Sequence, residues 1–169
     1  MPVDSFKFLP RLIALFYESS ERSPDFPIPW TPLNRPLTES KFGLVTSGGL
    51  YHKGVEPAFD LERERKEPEW GDPTFRRLPN NISSEKIGVS HLHINNEMAE
   101  KDINILLPID RFSDLIDAGR IAGLSKYAYS FMGYQGYPPN TSEWEQIYGP
   151  QVAEELREDG VDCVLLTPG

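Results

Sequence analysis

Two histidines separated by one residue are the clearest candidates for chemistry in this sequence. His91 and His93 follow an apolar segment, and on an extended strand side chains at positions i and i+2 point to the same face. Neighbouring imidazoles can bind a metal ion, contact an anionic substrate or make structural hydrogen bonds. His52 or Glu97 could complete a set of metal ligands, although their spacing does not require it. We therefore expect substrate contact and assign no metal, with a metal site and a structural role as the alternatives.

A glycine-rich turn after an apolar segment is the second candidate. The segment 41–46 (KFGLVT) is followed by Ser47, Gly48 and Gly49. The hydroxyls of Thr46 and Ser47 and the backbone N–H groups of such a turn can hold a carboxylate or a phosphate. The pattern matches neither the dinucleotide fingerprint nor a P-loop. A tight turn that simply requires glycine explains it equally well.

His52 and three further polar residues complete the predicted substrate-binding set. Arg111 follows Asp110, which can cap a helix, and its guanidinium can pair locally or reach an anion. Ser130 lies within 129–133 (YSFMG), where aromatic and small residues alternate as in a pocket wall or an ordinary core. Thr167 ends a predicted strand. None of these patterns contains an evident nucleophile with its base, so no catalytic residue is predicted within the chain.

Composition limits the class of protein. The 169 residues include 26 acidic and 17 basic side chains, for a net charge of −9, which argues against nucleic acid or an anionic membrane as the main partner. The sequence has no apolar run long enough to cross a bilayer and no signal peptide, so we expect a cytoplasmic protein. Cys163 is the single cysteine, which excludes an internal disulfide and a thiolate zinc cluster.

Predicted strands and helices alternate along most of the chain, which is the pattern of an α/β fold. The predicted strands are 41–46, 87–94, 103–109, 124–132 and 161–167, and the predicted helices are 95–101, a helix from Asp110 to a stop at Gly119, and 150–159. We expect a parallel or mixed sheet with helices on both faces, of the Rossmann or flavodoxin type and incomplete at the C-terminus.

The first forty residues differ from the rest. Residues 3–17 have apolar side chains at helical spacing, interrupted by Pro10, and 23–36 are rich in proline. We divide the chain into an N-terminal helix and proline-rich arm, 1–40, and an α/β domain, 41–169, which is the N-terminal part of a longer domain. Within the domain, the charged segment 61–70 predicts an exposed loop or a frayed helix. The strand 161–167 has the apolar character of a central strand, yet no helix follows it, so we expect either another chain to cover it or the sequence to be incomplete.

Four segments, in order along the chain, resemble the selenoprotein B family, the substrate-specific subunits of glycine, sarcosine and betaine reductases with relatives of unassigned substrate. They are LVTSGGLYHK (44–53), GDPTFRRLP (71–79), SHLHINNEMAEKDINILLPIDRF (90–112) and YSFMG (129–133). The resemblance runs from about Lys41 to the end of the chain. It departs from the family after the second histidine, where an aromatic and an acidic residue are common and this chain has Ile94-Asn95.

The resemblance implies a reductase subunit that cleaves a small amine-type substrate. In the family, the strand similar to 161–167 leads into a loop with selenocysteine or cysteine, so the nucleophile is expected just after Gly169, in a product truncated at that codon and inactive alone. A selenol is ionised at neutral pH and needs little help from a base. No cofactor is expected in the chain itself; electrons would come through partner reductase subunits or a thiol reductant, and a homo-oligomer is possible. The alternatives are a small-anion-binding α/β module without redox chemistry and a metal-dependent enzyme using His91 and His93.

Overall fold

A computed structural model describes residues 31–169 and, before them, only Arg11 and Leu15. The chain divides into two compact units, 1–32 and 33–169, and the elements below belong to the second. The helix predicted over 3–17 and most of the proline-rich arm lie outside the described residues. Nothing in the described part tests the predicted division at residue 40, which stays a prediction.

Residues 31–169 form short strands and helices in alternation. The strands are β1 Lys41–Thr46, β2 Leu50–His52, β3 Phe75–Pro79, β4 Ile87–Val89, β5 Gly123–Leu124, β6 Tyr127–Phe131 and β7 Cys163–Thr167. The α-helices are α1 Leu61–Lys66, α2 Asn96–Lys101, α3 Ile109–Asp117 and α4 Gly149–Glu158. Single 3-10 turns occur at Leu37–Glu39, Ser84–Lys86 and Ile103–Ile105, and a π-helix at Trp144–Tyr148. Among these residues, no helix has both the length and the apolar character needed to cross a membrane.

The main sheet is built around β1. On one side β1 pairs in parallel with β5 and β6, which together form one interrupted strand, and on the other side it pairs in parallel with β7. β3 is antiparallel to β6 and forms an edge of this sheet. β2 and β4 form a separate two-stranded antiparallel sheet. The mixed sheet and its helices confirm the predicted α/β class.

Each face of the main sheet has its own apolar core because side chains alternate along the strands. Leu44 and Ala128 face the larger core, which also receives residues of α2 and α3. Tyr129 and Phe131 face the smaller core with Leu156 of α4. A Cβ at Gly43 would lie 2.6 Å from Leu156 Cδ2, so the glycine in β1 allows α4 to pack directly on the central strand. The helix predicted over 150–159 is thereby confirmed.

The strand predicted over 103–109 is wrong, because this segment forms a 3-10 turn and the start of α3. Asp102 Oδ1 accepts a hydrogen bond from the Asn104 N–H at 3.1 Å, which starts the turn. The apolar residues Ile103, Leu107 and Ile109 are buried in the larger core. A short apolar run indicates burial but does not distinguish a strand from other buried structure.

Asp110 does not cap α3, contrary to the prediction. Pro108 precedes the helix, and Asp110 lies in its first turn, where its N–H donates to Asn104 Oδ1 at 3.0 Å. This hydrogen bonding between Asn104 and Asp110 takes the place of the expected cap. The predicted stop is confirmed, since Gly119 has a φ of 64°, a conformation that favours glycine.

Two other strands differ from their predictions. The strand predicted over 87–94 ends at Val89, and the chain then bends while the Ser90 N–H donates to Gly49 O at 2.9 Å. β7 forms as predicted but is not central: within the described residues it pairs with β1 alone. Its side chains Val164 and Leu166 are 46% and 71% exposed. Apolar character therefore overestimated how deeply this strand is buried.

Candidate functional site at the carboxyl ends of the strands

The carboxyl ends of β1, β6 and β7 meet at the turn 47–49. The Ser47 N–H donates to Thr167 O at 3.1 Å, and the Gly49 N–H donates to Phe131 O at 2.9 Å. The Gly169 N–H donates to Ser47 Oγ at 3.0 Å. The turn is thus tied to both neighbouring strand ends, at the edge of the sheet where α/β proteins bind ligands.

Glycines allow this close approach. A Cβ at Gly133 would lie 3.0 Å from Gly169 O, 3.1 Å from Ser47 O and 3.3 Å from His91 Nε2. A Cβ at Gly169 would lie 2.4 Å from the Gly48 Cα. Gly49 has a φ of 65°, and a side chain there would also collide with the Ser90 carbonyl. The glycine-rich turn is therefore required by the packing of three backbone segments.

His91 is 3% exposed and lies directly behind Gly133. Its Nδ1 accepts a hydrogen bond from the His93 N–H at 3.0 Å, so the neutral ring carries its proton on Nε2. Burial, and then the nearby His93, lower the pKa of His91, which keeps the ring neutral. Its Nε2 has no hydrogen-bond partner among the described residues. Leaving such a buried donor unpaired costs about 1–3 kcal/mol.

His93 is half-exposed and pairs with a carboxylate that sequence reasoning missed. Its Nε2 lies 3.0 Å from Glu64 Oε1, and Glu64 is only 5% exposed. Burial raises the pKa of Glu64, while the charge and hydrogen bond of His93 act in the opposite direction. The ring of Tyr134 lies against His93, with centroids 4.6 Å apart. The sequence gives one indication that Glu64 is buried. Leu61 is the only apolar residue of α1, and Glu64 lies three positions later on the same helical face.

The other predicted residues are distributed between this edge and more distant positions. Thr46 Oγ1 accepts from the Gly48 N–H at 3.1 Å, and the buried Ser130 Oγ accepts from the Leu50 N–H at 2.7 Å. Thr167 Oγ1 donates to Leu106 O at 2.6 Å. His52 lies in β2, opposite Ile87 of the small sheet, and Arg111 is exposed on α3, 3.2 Å from Asp114. The structure thus brings together Thr46, Ser47, Gly48, Gly49, His91 and Thr167.

An apolar pocket of about 370 Å³ opens beside the turn, on the face of the sheet that α4 covers. Its walls include Val45, Phe131, Trp144 and Leu166, and Ser47 lies at its rim. Trp144 lies in the π-helix, and π-helical turns often occur at functional sites. The indole Nε1 of Trp144 is buried without a hydrogen-bond partner among the described residues. Sequence reasoning offered 129–133, which includes Phe131, as a pocket wall or an ordinary core, but it did not identify Trp144.

The two histidines do not complete a metal centre with the expected partners. Across residues 31–169, no group of three or more His, Cys, Asp or Glu side chains is arranged to hold a metal ion.

The fold and this edge define an α/β domain with a candidate site at the ends of its parallel strands. Residues 23–169 match the family model described as glycine/sarcosine/betaine reductase selenoprotein B. The chain belongs to this family, as its four motifs predict.

Curated relatives are subunits of amino-acid reductases. The chain is 35% identical over 140 residues to the D-proline reductase subunit gamma of Acetoanaerobium sticklandii, which covers 83% of this chain and 53% of that protein. It is 26% and 28% identical to the glycine reductase complex component B subunit gamma of Carboxydothermus hydrogenoformans and of Symbiobacterium thermophilum, over 83% of this chain and 30% and 31% of those proteins. The chain thus spans about half or less of the length of these relatives. No solved structure shows a significant match.

Proposed function

We propose that this chain is part of the substrate-binding subunit of a reductase that cleaves the C–N bond of a small amine-type substrate. The observation that carries the proposal is the convergence of β1, β6 and β7 on the turn 47–49, with Gly169 N–H bonded to Ser47 Oγ at 3.0 Å. A selenolate or thiolate following Gly169 would enter the site at this edge. Family membership supports the reaction class, and the convergence of the three strand ends supports the position of the site.

The reaction requires partners. Breaking a C–N bond reductively takes two electrons, and a protein dithiol of a partner subunit or another thiol reductant would supply them while becoming a disulfide. The residues of this chain would bind the substrate and hold it beside the nucleophile. The Ser47 hydroxyl can donate its proton to a substrate carboxylate. The N–H groups of the turn already donate to Thr167 O, Thr46 Oγ1 and Phe131 O.

The pocket beside the turn favours a substrate with an apolar ring or substituent over glycine. Its walls are formed by aliphatic and aromatic side chains such as Val45, Phe131 and Trp144, which glycine has no apolar group to contact. The relative with the higher identity is a D-proline reductase subunit. We propose a cyclic or substituted amino acid as the substrate class.

The experiment is an assay of the protein expressed from its full reading frame, supplied with its partner subunits and a dithiol reductant. D-proline and glycine are offered separately, and ring-opened product or released ammonia is measured by mass spectrometry. We expect turnover of D-proline, and a loss of about tenfold or more in kcat/KM for Ser47→Ala, because a hydrogen bond to a charged group is removed. Ser142→Ala, at an exposed serine, serves as the control. Absence of C–N cleavage with either substrate would overturn the proposal and favour a small-anion-binding module.

A further inference from the structure

The pair formed by Glu64 and His93 is the cluster of titratable groups that the proposed function leaves unused. Glu64 is 5% exposed although it lies in a helix whose other charged residues are exposed. Burying a carboxylate is costly unless it is paired, and its hydrogen-bond partner here is His93 Nε2, at 3.0 Å. The helix α1 therefore positions one acid against one histidine.

The hydrogen bonds give the two histidines opposite chemistry. His91 Nδ1 accepts from the His93 N–H, so His91 directs an N–H donor, Nε2, toward Gly133. When His93 Nε2–H donates to the Glu64 carboxylate, the neutral His93 ring carries a lone pair on Nδ1. That ring is half-exposed. His93 therefore offers a hydrogen-bond acceptor to an incoming ligand, with a negative charge behind it.

This arrangement lies next to the strand ends. The His91 and His93 rings are 5.8 Å apart between centroids, and His91 Nε2 would be 3.3 Å from a Cβ at Gly133, the residue that Gly169 also approaches. Tyr134, which follows Gly133, packs against the His93 ring. A small ligand bound at the turn 47–49 would therefore lie near His93.

We propose that His93 and Glu64 bind the ammonium group of the substrate, with His93 Nδ1 accepting a hydrogen bond from its N–H and Glu64 supplying the opposite charge. The inference rests on the proposed function, because it assumes an amine-type substrate. Glu64 acts through His93 and is a positioning residue. A carboxylate at this place would instead face the charge of Glu64.

Protonation gives the pair a distinct pH dependence. The groups that face His93 are Glu64 from α1, His91 from the same loop, and Tyr134 from the segment after β6. The charge of Arg65 acts on Glu64. Burial raises the pKa of Glu64, and a proton on its carboxylate removes the negative charge behind His93. Affinity for an ammonium group should therefore rise with pH as Glu64 loses its proton.

The test measures binding of three probes to the 169-residue chain by NMR, with the His93 ring labelled with ¹⁵N: pyrrolidine, D-proline and propionate. We expect pyrrolidine and D-proline to shift the His93 ring signals, and propionate to leave them unchanged. Glu64→Gln keeps a hydrogen-bond acceptor for His93 but removes the charge, so the affinity for pyrrolidine should fall about tenfold. The wild-type affinity should rise with pH as Glu64 loses its proton, and this rise should shrink in the variant.

Glu62→Gln is the matched control, because Glu62 is an exposed acid on the same helix that pairs only with Lys66 within the described residues. It should change the affinity by less than about twofold. Equal pyrrolidine binding by wild type and Glu64→Gln, a propionate shift as large as that of pyrrolidine, or no amine binding by the wild type would overturn the inference. The reductase assay tests the proposed function separately. If C–N cleavage occurs but Glu64→Gln binds amines as the wild type does, the proposed function stands and the ammonium site is wrong. If amines bind but no cleavage occurs, only the ammonium site stands.

Discussion

Hydrogen bonding at single residues determines what the two histidines can do. His91 is neutral and buried, with Nδ1 occupied and Nε2–H turned toward Gly133. His93 is half-exposed and paired with Glu64. The predicted common face on a strand does not exist, yet the two rings still lie side by side because the loop after β4 bends at this point. Their proximity was therefore predicted for the wrong reason.

Gly133 is the residue whose replacement should report on the strand-end site. Gly133→Ala places a Cβ 3.0 Å from Gly169 O and 3.1 Å from Ser47 O, backbone atoms that cannot turn aside as a side chain can. We expect a loss of about 1–3 kcal/mol in the free energy of unfolding, as for an overpacked site. Urea unfolding followed by circular dichroism measures this loss.

Gly123→Ala is the control for that experiment. A Cβ at Gly123 meets nothing within 4 Å, and its backbone needs no positive φ. The control should unfold close to the wild-type denaturant concentration. Equal stability of the two variants would contradict the close approach of Gly169 O and Ser47 O to Gly133.

At the scale of elements, Glu155 connects α4 to two strands of the sheet. Its carboxylate accepts from Arg77 Nε of β3 at 2.8 Å and from the Tyr129 hydroxyl of β6 at 3.0 Å. The Arg77 hydrogen bond, followed by that of Tyr129, lowers the pKa of Glu155 against the effect of burial. Burial and the hydrogen bond to Glu155 raise the pKa of Tyr129. The helix is thus held on the sheet by polar contacts as well as by Leu156.

Replacing Glu155 should weaken this connection in a pH-dependent way. Glu155→Gln should cost about 1 kcal/mol at neutral pH, a modest value because the carboxylate is partly exposed. Because the folded pKa lies below the ordinary value of 4.5, the wild-type stabilisation is complete above that pH and is lost as the pH falls through the folded pKa. The difference between the two proteins should therefore close on acidification.

Thermal unfolding at a series of pH values measures the effect, with Glu158→Gln as the control. Glu158 is an exposed acid at the end of the same helix. A constant difference between wild type and Glu155→Gln over the acidic range would contradict the assignment of the stabilisation to the ionised carboxylate.

At the scale of the molecule, the face of the sheet on which α4 packs has an apolar trough, formed by two adjoining pockets, that α4 does not cover. The pocket beside the turn adjoins a second pocket of about 360 Å³ along β7, and the two share Val45, Phe131, Gly149 and Leu166. The outer edge of β7 is unpaired within residues 31–169. Apolar faces and unpaired edges of this kind promote association with other chains.

We therefore expect the 169-residue chain to self-associate through this trough. Leu166→Lys, at a side chain that is 71% exposed, should reduce association without affecting the core. Size-exclusion chromatography with light scattering at several protein concentrations measures the change. Val55→Lys, at an equally exposed apolar residue in a turn elsewhere, should associate as the wild type does. A wild-type chain that stays monomeric at all concentrations would contradict the expectation.

Several secondary-structure elements were predicted correctly from local sequence patterns. The strand 41–46, the glycine turn, the helix over 95–101 and the stop at Gly119 all form as predicted, and the structure adds that Asn95 caps the helix. The strand predicted over 103–109 is wrong because an apolar run indicates burial without indicating the backbone conformation. Family membership was also determined by sequence, because it depends on the order of four motifs along one chain.

Only the tertiary structure decided which residues share the site. Glu64 precedes His93 by 29 positions, and no spacing rule connects a charged surface helix with a distant histidine. The edge position of β7 likewise depends on which side of β1 remained available after β5 and β6 had paired with it. Residue type and spacing determine local conformation and the available chemical groups, whereas hydrogen-bond partners and exposure depend on which distant segments the fold brings together.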